Sequence, residues 1–415
     1  MTECETEFSE FPKEWEVKKL KDIITYKKGV KPKQLYIKRI DDNYVPYLTA
    51  EYLRGQSEPR YVDMNEKRLL VAEPEDILMI WDGSAAGDLF TGFRGAVAST
   101  FVRIKCNRNI INCKYLYYYL LERVDILKKR TKGTGIPHIN KDTFENLQIP
   151  LPPLEEQKKI VEILDTVDSI IKDTTNLIEK LKLLKEKTLN LLITGKIWHK
   201  EFEDTEIGKI PKNWEIKRLK DVIIKAKSGG TPRRNVPEYW NGNIPFAKIQ
   251  DITKSGKYLY NTEEFITEKG LENSNAWIVP KDSLLLTIYG SLGFVAINKI
   301  PVATNQAIVG IIPNKNIIDT EFLYYWYLYF KPYWSKFIKK GTQPNLTLEI
   351  VLNSSIPIPP LEEQKKIVEI LSTIDNKIET ETKYLDYMKK LKEKLLAALT
   401  TGKIRVNSIA IGDLR

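Results

Sequence analysis

At 415 residues the chain exceeds one typical core and suits two domains of about 150 residues with connecting elements. An apolar share of 42% and a charged share of 29% are ordinary for a globular protein. No run reaches the roughly 18 uninterrupted apolar residues of a membrane span, so membrane-embedded classes are set aside.

Three cysteines (Cys4, Cys106, Cys113), an odd count without CxxC spacing, speak against a disulfide framework and against a zinc site, and fit a reducing cytoplasm. The acidic stretch Met1–Glu10 carries no export signal, which also points to a cytoplasmic location. The net charge is +10, and its placement is informative. Residues 154–194 hold seven basic against eight acidic side chains, and 361–401 hold eight against eight. The basic excess therefore lies outside those windows, as expected of surfaces that meet nucleic acid.

In chain order, Phe11-Pro-Lys-Glu-Trp15 opens a region of short apolar runs, such as Ile77-Leu-Met-Ile-Trp81, separated by Gly, Pro and Asn. That pattern predicts a mixed α/β domain rich in strands over 1–150. Pro152-Pro153 forbid earlier helix and suit a first helical turn. Apolar side chains then recur at Ile160, Leu164, Val167, Ile171, Ile178, Leu181 and Leu192, a heptad seam interrupted at Thr174, Lys185 and Thr188. With Gly195 as the stop, the spacing predicts a long helix within 151–200, about 35 residues and roughly 50 Å. A second seam through Ile163, Val167, Ile170, Leu177, Leu181, Leu184 and Leu191 widens the apolar face enough for more than one partner helix.

The order then begins again. Ile210-Pro-Lys-Asn-Trp214 opens a second mixed α/β domain over 201–357, with runs such as Leu284-Leu-Leu-Thr-Ile288. Pro359-Pro360 precede a second helix within 358–407, whose seam is Ile367, Leu371, Ile374, Ile378, Leu385, Met388, Leu395 and Leu399, closed by Gly402. Residues 408–415 form a C-terminal tail. The repeat is direct: residues 149–164 recur as 356–371 and differ only at Leu151/Ile358. Thr194-Gly-Lys-Ile197 recurs as Thr401-Gly-Lys-Ile404. Each unit thus joins a divergent domain to a nearly shared helix.

A helix so apolar on one side needs a partner, and the evident one is the other copy. Antiparallel pairing would close the chain as domain, rod, domain, rod, with an approximate two-fold axis across an antiparallel coiled coil. Two-fold-related domains match the antiparallel strands of duplex DNA. Rods of 50 Å correspond to roughly 15 base pairs at 3.4 Å each. Because the domains differ in sequence, the two half-sites should differ, giving a bipartite, asymmetric target with a gap of fixed length.

The chain resembles the type I restriction enzyme specificity subunit. The resemblance covers essentially all of it. It rests on the two Pro-Pro-Leu-Glu-Glu-Gln-Lys-Lys-Ile segments, the Gly-Lys-Ile helix ends and the openings around Trp15 and Trp214. Ser228-Gly-Gly-Thr-Pro232, Tyr239-Trp240-Asn-Gly-Asn-Ile-Pro245 and Ala303-Thr-Asn-Gln-Ala307 complete it. The first domain departs from the Ser-Gly-Gly-Thr-Pro pattern with Lys28-Gly-Val-Lys-Pro32. The resemblance implies an α/β (α+β) chain with two target-recognition domains and two helices forming an antiparallel coiled coil. It implies no catalysis by the chain itself. Two methyltransferase subunits would dock on it, and restriction/translocase subunits would join, with S-adenosylmethionine and ATP/Mg bound on those partners.

Catalytic constellations are missing from the sequence. His138 and His199 have no Cys or carboxylate at ligand spacing and read as structural or surface residues. No Walker A loop occurs and no GxGxxG follows a strand. For DNA, Lys225, Lys227, Thr231, Arg233 and Arg234 flank the Gly-Gly-Thr-Pro loop without an acidic residue; Lys27, Lys28, Lys31 and Lys33 are the counterpart in domain one. Glycine lets backbone approach phosphate, Lys and Arg neutralise it, and Arg reads guanine. Lys132 and Lys340, each before Gly-Thr, are candidate phosphate clamps. Any of these can equally be ordinary surface. Tyr115 to Tyr119 and Tyr324 to Tyr329 read as core rather than stacking platforms. Glu155, Glu156, Gln157 and Glu362, Glu363, Gln364 complement a helix N-terminus, and their exact copying marks them as candidate docking surfaces for two identical partners. A coiled-coil adaptor with protein-binding end domains is the alternative reading.

Overall fold

Two 40-residue helices, α1 (Leu154–Ile193) and α2 (Leu361–Thr400), carry the repeat, each about 60 Å long at 1.5 Å per residue. Each begins directly after its Pro-Pro pair with two glutamates in the first turn, which complements the positive end of the helix dipole. Each ends at a glycine in the left-handed region, Gly195 at φ +70° and Gly402 at φ +73°. At α1 the Gly195 and Lys196 N–H groups donate to Leu192 O and Leu191 O, closing the last turn. The helices are five residues longer than the spacing predicts, because the first turn after the prolines carries no seam residue. The structure, a computed structural model, describes residues 11–129, 138–337 and 345–406.

The chain divides into two compact units, residues 1–175 with 383–415, and residues 176–382. The division falls inside both helices, so each unit holds the start of one helix and the end of the other. In unit one Lys392 pairs with Asp168 at 2.5 Å, and Leu396 and Leu399 pack with Ile160, Ile163 and Leu164. In unit two Lys185 pairs with Asp375 at 2.5 Å, and Leu189, Leu192 and Ile193 pack with Ile367 and Leu371. Both units therefore pair the helices antiparallel, and both ion pairs join the same two repeat positions. The interruptions in the seam have occupations of their own: Thr174 is buried, and Lys185 makes the cross-helix pair. Leu164, Val167, Ile178, Leu192, Leu371, Leu385, Met388 and Leu399 are buried, whereas Ile171, Leu181, Ile374 and Ile378 are half-buried. Leu177, Leu184 and Leu191 of the second seam remain exposed.

In unit one, strands β1 (Ile24–Lys28), β2 (Ile77–Ile80) and β3 (Phe101–Cys106) form an antiparallel sheet in the order β1-β3-β2, with Leu89–Phe90 at its far edge. A second four-stranded sheet pairs Tyr44–Leu48 in parallel with Gly95–Val97. Glu16–Lys19 pairs antiparallel with Gln148–Leu151, joining the start of the domain to the strand that delivers the chain to α1. Unit two repeats this plan. Strands β4 (Ile223–Ser228), β5 (Leu284–Thr287) and β6 (Ile308–Pro313) lie in the order β4-β6-β5, and Glu215–Arg218 pairs with Ser355–Ile358.

The tyrosine-rich stretches are helices, Cys113–Glu122 and Thr320–Phe330, packed onto these sheets with Tyr115, Tyr118, Tyr119, Tyr324, Tyr325 and Tyr327 buried. They are core, as their spacing indicates. Burial also raises the Tyr117 phenol to about 12.

One expectation is overturned. Cys106, ending β3, and Cys113, opening the following helix, form a disulfide across a separation of seven residues. The turn at Asn107, whose N–H donates to Ile23 O, brings strand end and helix start together, a proximity that the missing CxxC spacing conceals. Disulfides are uncommon in a strongly reducing cytoplasm, so cysteine usage gives no argument for that compartment.

Candidate nucleic-acid interface

The domain-two loop is built on β4, which alternates exposed Lys225 and Lys227 with half-buried Ala226. Trp277 underlies both lysines: Lys225 Nζ lies 4.9 Å from its ring centre, and its Nε1 donates to Lys227 O at 3.1 Å. The chain then turns at Gly229, where an added Cβ would sit 1.9 Å from Thr304 O. Only glycine allows that approach. Beyond the turn Thr231 Oγ1 donates to Gln306 Oε1 at 2.6 Å. Arg234 lies over Trp240, its Cζ 3.8 Å from the ring centre, and pairs with Glu264 at 2.8 Å. Burial raises the Glu264 carboxyl, but Lys248 and Arg234 more than offset it and hold it below its ordinary value. Arg233 is exposed, and among the described residues it has no ion-pair partner; its carbonyl accepts from Trp240 Nε1 at 3.2 Å.

Domain one uses the same frame. Gly29 approaches the carbonyls of Val97 and Ala98, each 2.3 Å from an added Cβ. The Gly29 N–H donates to Phe101 O as that of Gly229 does to Ile308 O. Lys27, Lys28, Lys31 and Lys33 are all exposed. Lys28 Nζ pairs with Asp82 Oδ2 at 2.5 Å, and His138 Nδ1 lies 2.5 Å from Asp82 Oδ1. Burial would raise the Asp82 carboxyl, but these two neighbours hold it below its ordinary value. The phosphate-clamp candidates Lys132 and Lys340 lie outside the described residues.

The structure thus groups Lys225, Lys227, Thr231, Arg233 and Arg234 around one glycine turn, and Lys27 and Lys28 with Lys31 and Lys33 around the other. Sequence reasoning missed Trp240, Trp277 and Glu264, which orient the loop, and Asp82. Trp240 stands six residues from Arg234, but nothing in the sequence says that the guanidinium lies over the ring.

The docking candidates need correction. Gln157 and Gln364 are fully buried and bonded within the chain. Gln157 Oε1 accepts from the Asn112 N–H at 2.7 Å, and its Nε2 donates to Ile110 O and Pro152 O. Gln364 does the same with the Asp319 N–H, Ile317 O and Pro359 O. Glu156 receives Arg405 through Nε and Nη2 at 2.8 and 2.9 Å, while Glu363 faces His199 Nε2 at 2.7 Å and Trp214 Nε1 at 3.2 Å. These four seat each domain and each closing segment on a helix start; Glu156, Gln157 and Gln364 are buried there and offer no surface to a partner, and Glu363 is half-buried. Glu155 and Glu362 alone of the six face solvent, beside Lys158 and Lys365.

Among the described residues no helix is long and apolar enough to cross a membrane, and no group of three His, Cys, Asp or Glu side chains could hold a metal ion.

A family model described as the type I restriction modification DNA specificity domain matches residues 12–183 and 211–389. The type I restriction enzyme MjaVIII specificity subunit of Methanocaldococcus jannaschii is 37% identical over 408 residues, covering 96% of this chain and 95% of the relative. The type I restriction enzyme EcoBI specificity subunit of Escherichia coli is 24% identical over 314 residues, covering 71% and 65%. The crystal structure of a type I restriction-modification system S subunit from M. genitalium shares the fold, with a TM-score of 0.63, 18% identity and coverage of 94% of this chain and 96% of that one. With one specificity-domain match on each repeat and a relative aligned almost end to end, the chain belongs to the family of type I restriction–modification specificity subunits.

Proposed function

We propose that the chain binds double-stranded DNA through both glycine turns, one half-site per domain, and recognises a bipartite, asymmetric sequence. The observation that carries this reading is a shared backbone frame in the two domains that presents basic turns with different side chains, Lys28-Gly29 in one and Arg233-Arg234 beyond Gly229-Gly230 in the other. Phosphate contacts by the lysines supply affinity, and exposed Arg233 is suited to a base edge. The antiparallel helices would hold the gap between half-sites at a fixed length. Two methyltransferase subunits and the restriction/translocase subunits are the proposed protein partners. S-adenosylmethionine and ATP/Mg would then be bound on those partners, and the proposed location is the cytoplasm.

Binding selection on random duplexes tests the reading. The purified full chain should enrich two different short sequences at constant spacing, and its affinity should fall steeply with salt. It should neither methylate nor cut DNA without partners. Enrichment of a single uninterrupted motif, or of none, would overturn the proposal.

A further inference from the structure

The two domains superpose their hydrogen-bond frames residue for residue beside the glycine turn. The Trp81 N–H donates to Thr100 O at 2.8 Å, and the Ile288 N–H to Ala307 O at 2.8 Å. The Ile139 N–H donates to Trp81 O at 3.1 Å, and the Leu346 N–H to Ile288 O at 2.9 Å. Isolated antiparallel bridges join Asp82 to His138 in one domain and Tyr289 to Asn345 in the other. Three matched positions therefore stand at one rim: the last residue of β1 or β4, the residue two beyond β2 or β5, and its bridge partner.

The chemistry there differs completely. Domain one has Lys28, Asp82 and His138, linked through both Asp82 oxygens. Domain two has Ser228, Tyr289 and Asn345, with no Lys, Asp or His among them. Lys28, His138, Tyr289 and Asn345 are exposed, and the frame closes with the same bonds whichever set it carries. Packing does not select these four side chains. Two half-sites of different sequence would require such a difference, at equivalent places on equivalent frames.

We infer that residues 28, 82 and 138 in domain one, and 228, 289 and 345 in domain two, are specificity-determining positions, the first set reading a G·C pair and the second an A·T pair. This rests on the DNA-binding reading above. A carboxylate accepts from the cytosine amino group and a lysine donates to guanine O6 and N7. A carboxamide pairs bidentately with adenine N6 and N7, and an apolar ring face suits the thymine methyl.

The test is binding selection on random duplexes with the full chain, comparing the wild type, Asp82→Asn with His138→Asn, and Asn345→Ala. The double variant should lose its preference at one G·C position of half-site one, by about tenfold or more, and keep half-site two. Asn345→Ala removes only an exposed side chain, so its folding is not at issue. It should lose preference at one A·T position of half-site two and keep half-site one. Variants that bind all sequences more weakly but select unchanged half-sites would overturn the inference and leave DNA reading intact. A wild type that selects no sequence would remove both.

Discussion

Arg233 and Arg234 are adjacent in sequence and opposite in circumstance. Arg234 is held by the Trp240 ring and Glu264, whereas Arg233 projects with only its carbonyl engaged. With a ring contact and an ion pair both inside its domain, Arg234 braces the turn, and Arg233 is the one placed to read. Arg233→Ala should therefore reduce discrimination at one base pair of half-site two by about 1–3 kcal/mol, the value of a good bidentate contact. Arg234→Ala should weaken binding evenly across sequences, because the turn loses its brace. Competition binding against single-base variants of the selected site separates the two. Equal behaviour of both substitutions would show that the pairing seen at Arg234 does not persist on DNA.

At the scale of elements, the copied helix starts are explained from within. Gln157 and Gln364, themselves fully buried, each bond one N–H donor and two carbonyls, tying the loop before the tyrosine helix to the helix start. Gln157→Ala or Gln364→Ala should each cost about 1–3 kcal/mol in denaturant unfolding, since the Pro152 or Pro359 carbonyl left behind is buried. A loss near zero would mean that water reaches it. The long helices carry a separate expectation. One heptad inserted at matched positions in α1 and α2 adds about 10 Å, roughly 3 base pairs. The selected gap should lengthen by that amount while both half-sites persist. An unchanged gap would rule out the helices as the spacer.

For the whole molecule, the repeat predicts what half of it should do. A fragment ending near Asp204 keeps the first domain and all of α1 but loses Leu396, Leu399 and Arg405, which complete its core and its Glu156 pair. Leu189 and Leu192 of a second copy occupy the same repeat positions as Leu396 and Leu399, so another fragment can supply the missing seam. The fragment should form a two-fold homodimer with antiparallel helices, and its target should be an interrupted palindrome of half-site one. Sedimentation reports the association and binding selection the target. A stable monomer, or an asymmetric target, would contradict the inferred pseudo-symmetry.

The sequence by itself determined the duplication, the long helices and their seam, and the place of the basic turns, because heptad spacing, Pro-Pro starts and Gly stops are local and periodic signals. It also marked the tyrosine stretches as core, through their helical context. Only the tertiary structure decided which copied residues face inward. Glu156, Gln157 and Gln364 look like surface in a one-dimensional reading, and become interior once strand, tyrosine helix and helix start converge on them. The Cys106–Cys113 bridge, the Trp240 and Trp277 platforms and the Lys28–Asp82–His138 cluster are of the same kind. Each joins residues from different elements, and such proximity is set by how sheets and loops pack, which no spacing along the chain encodes.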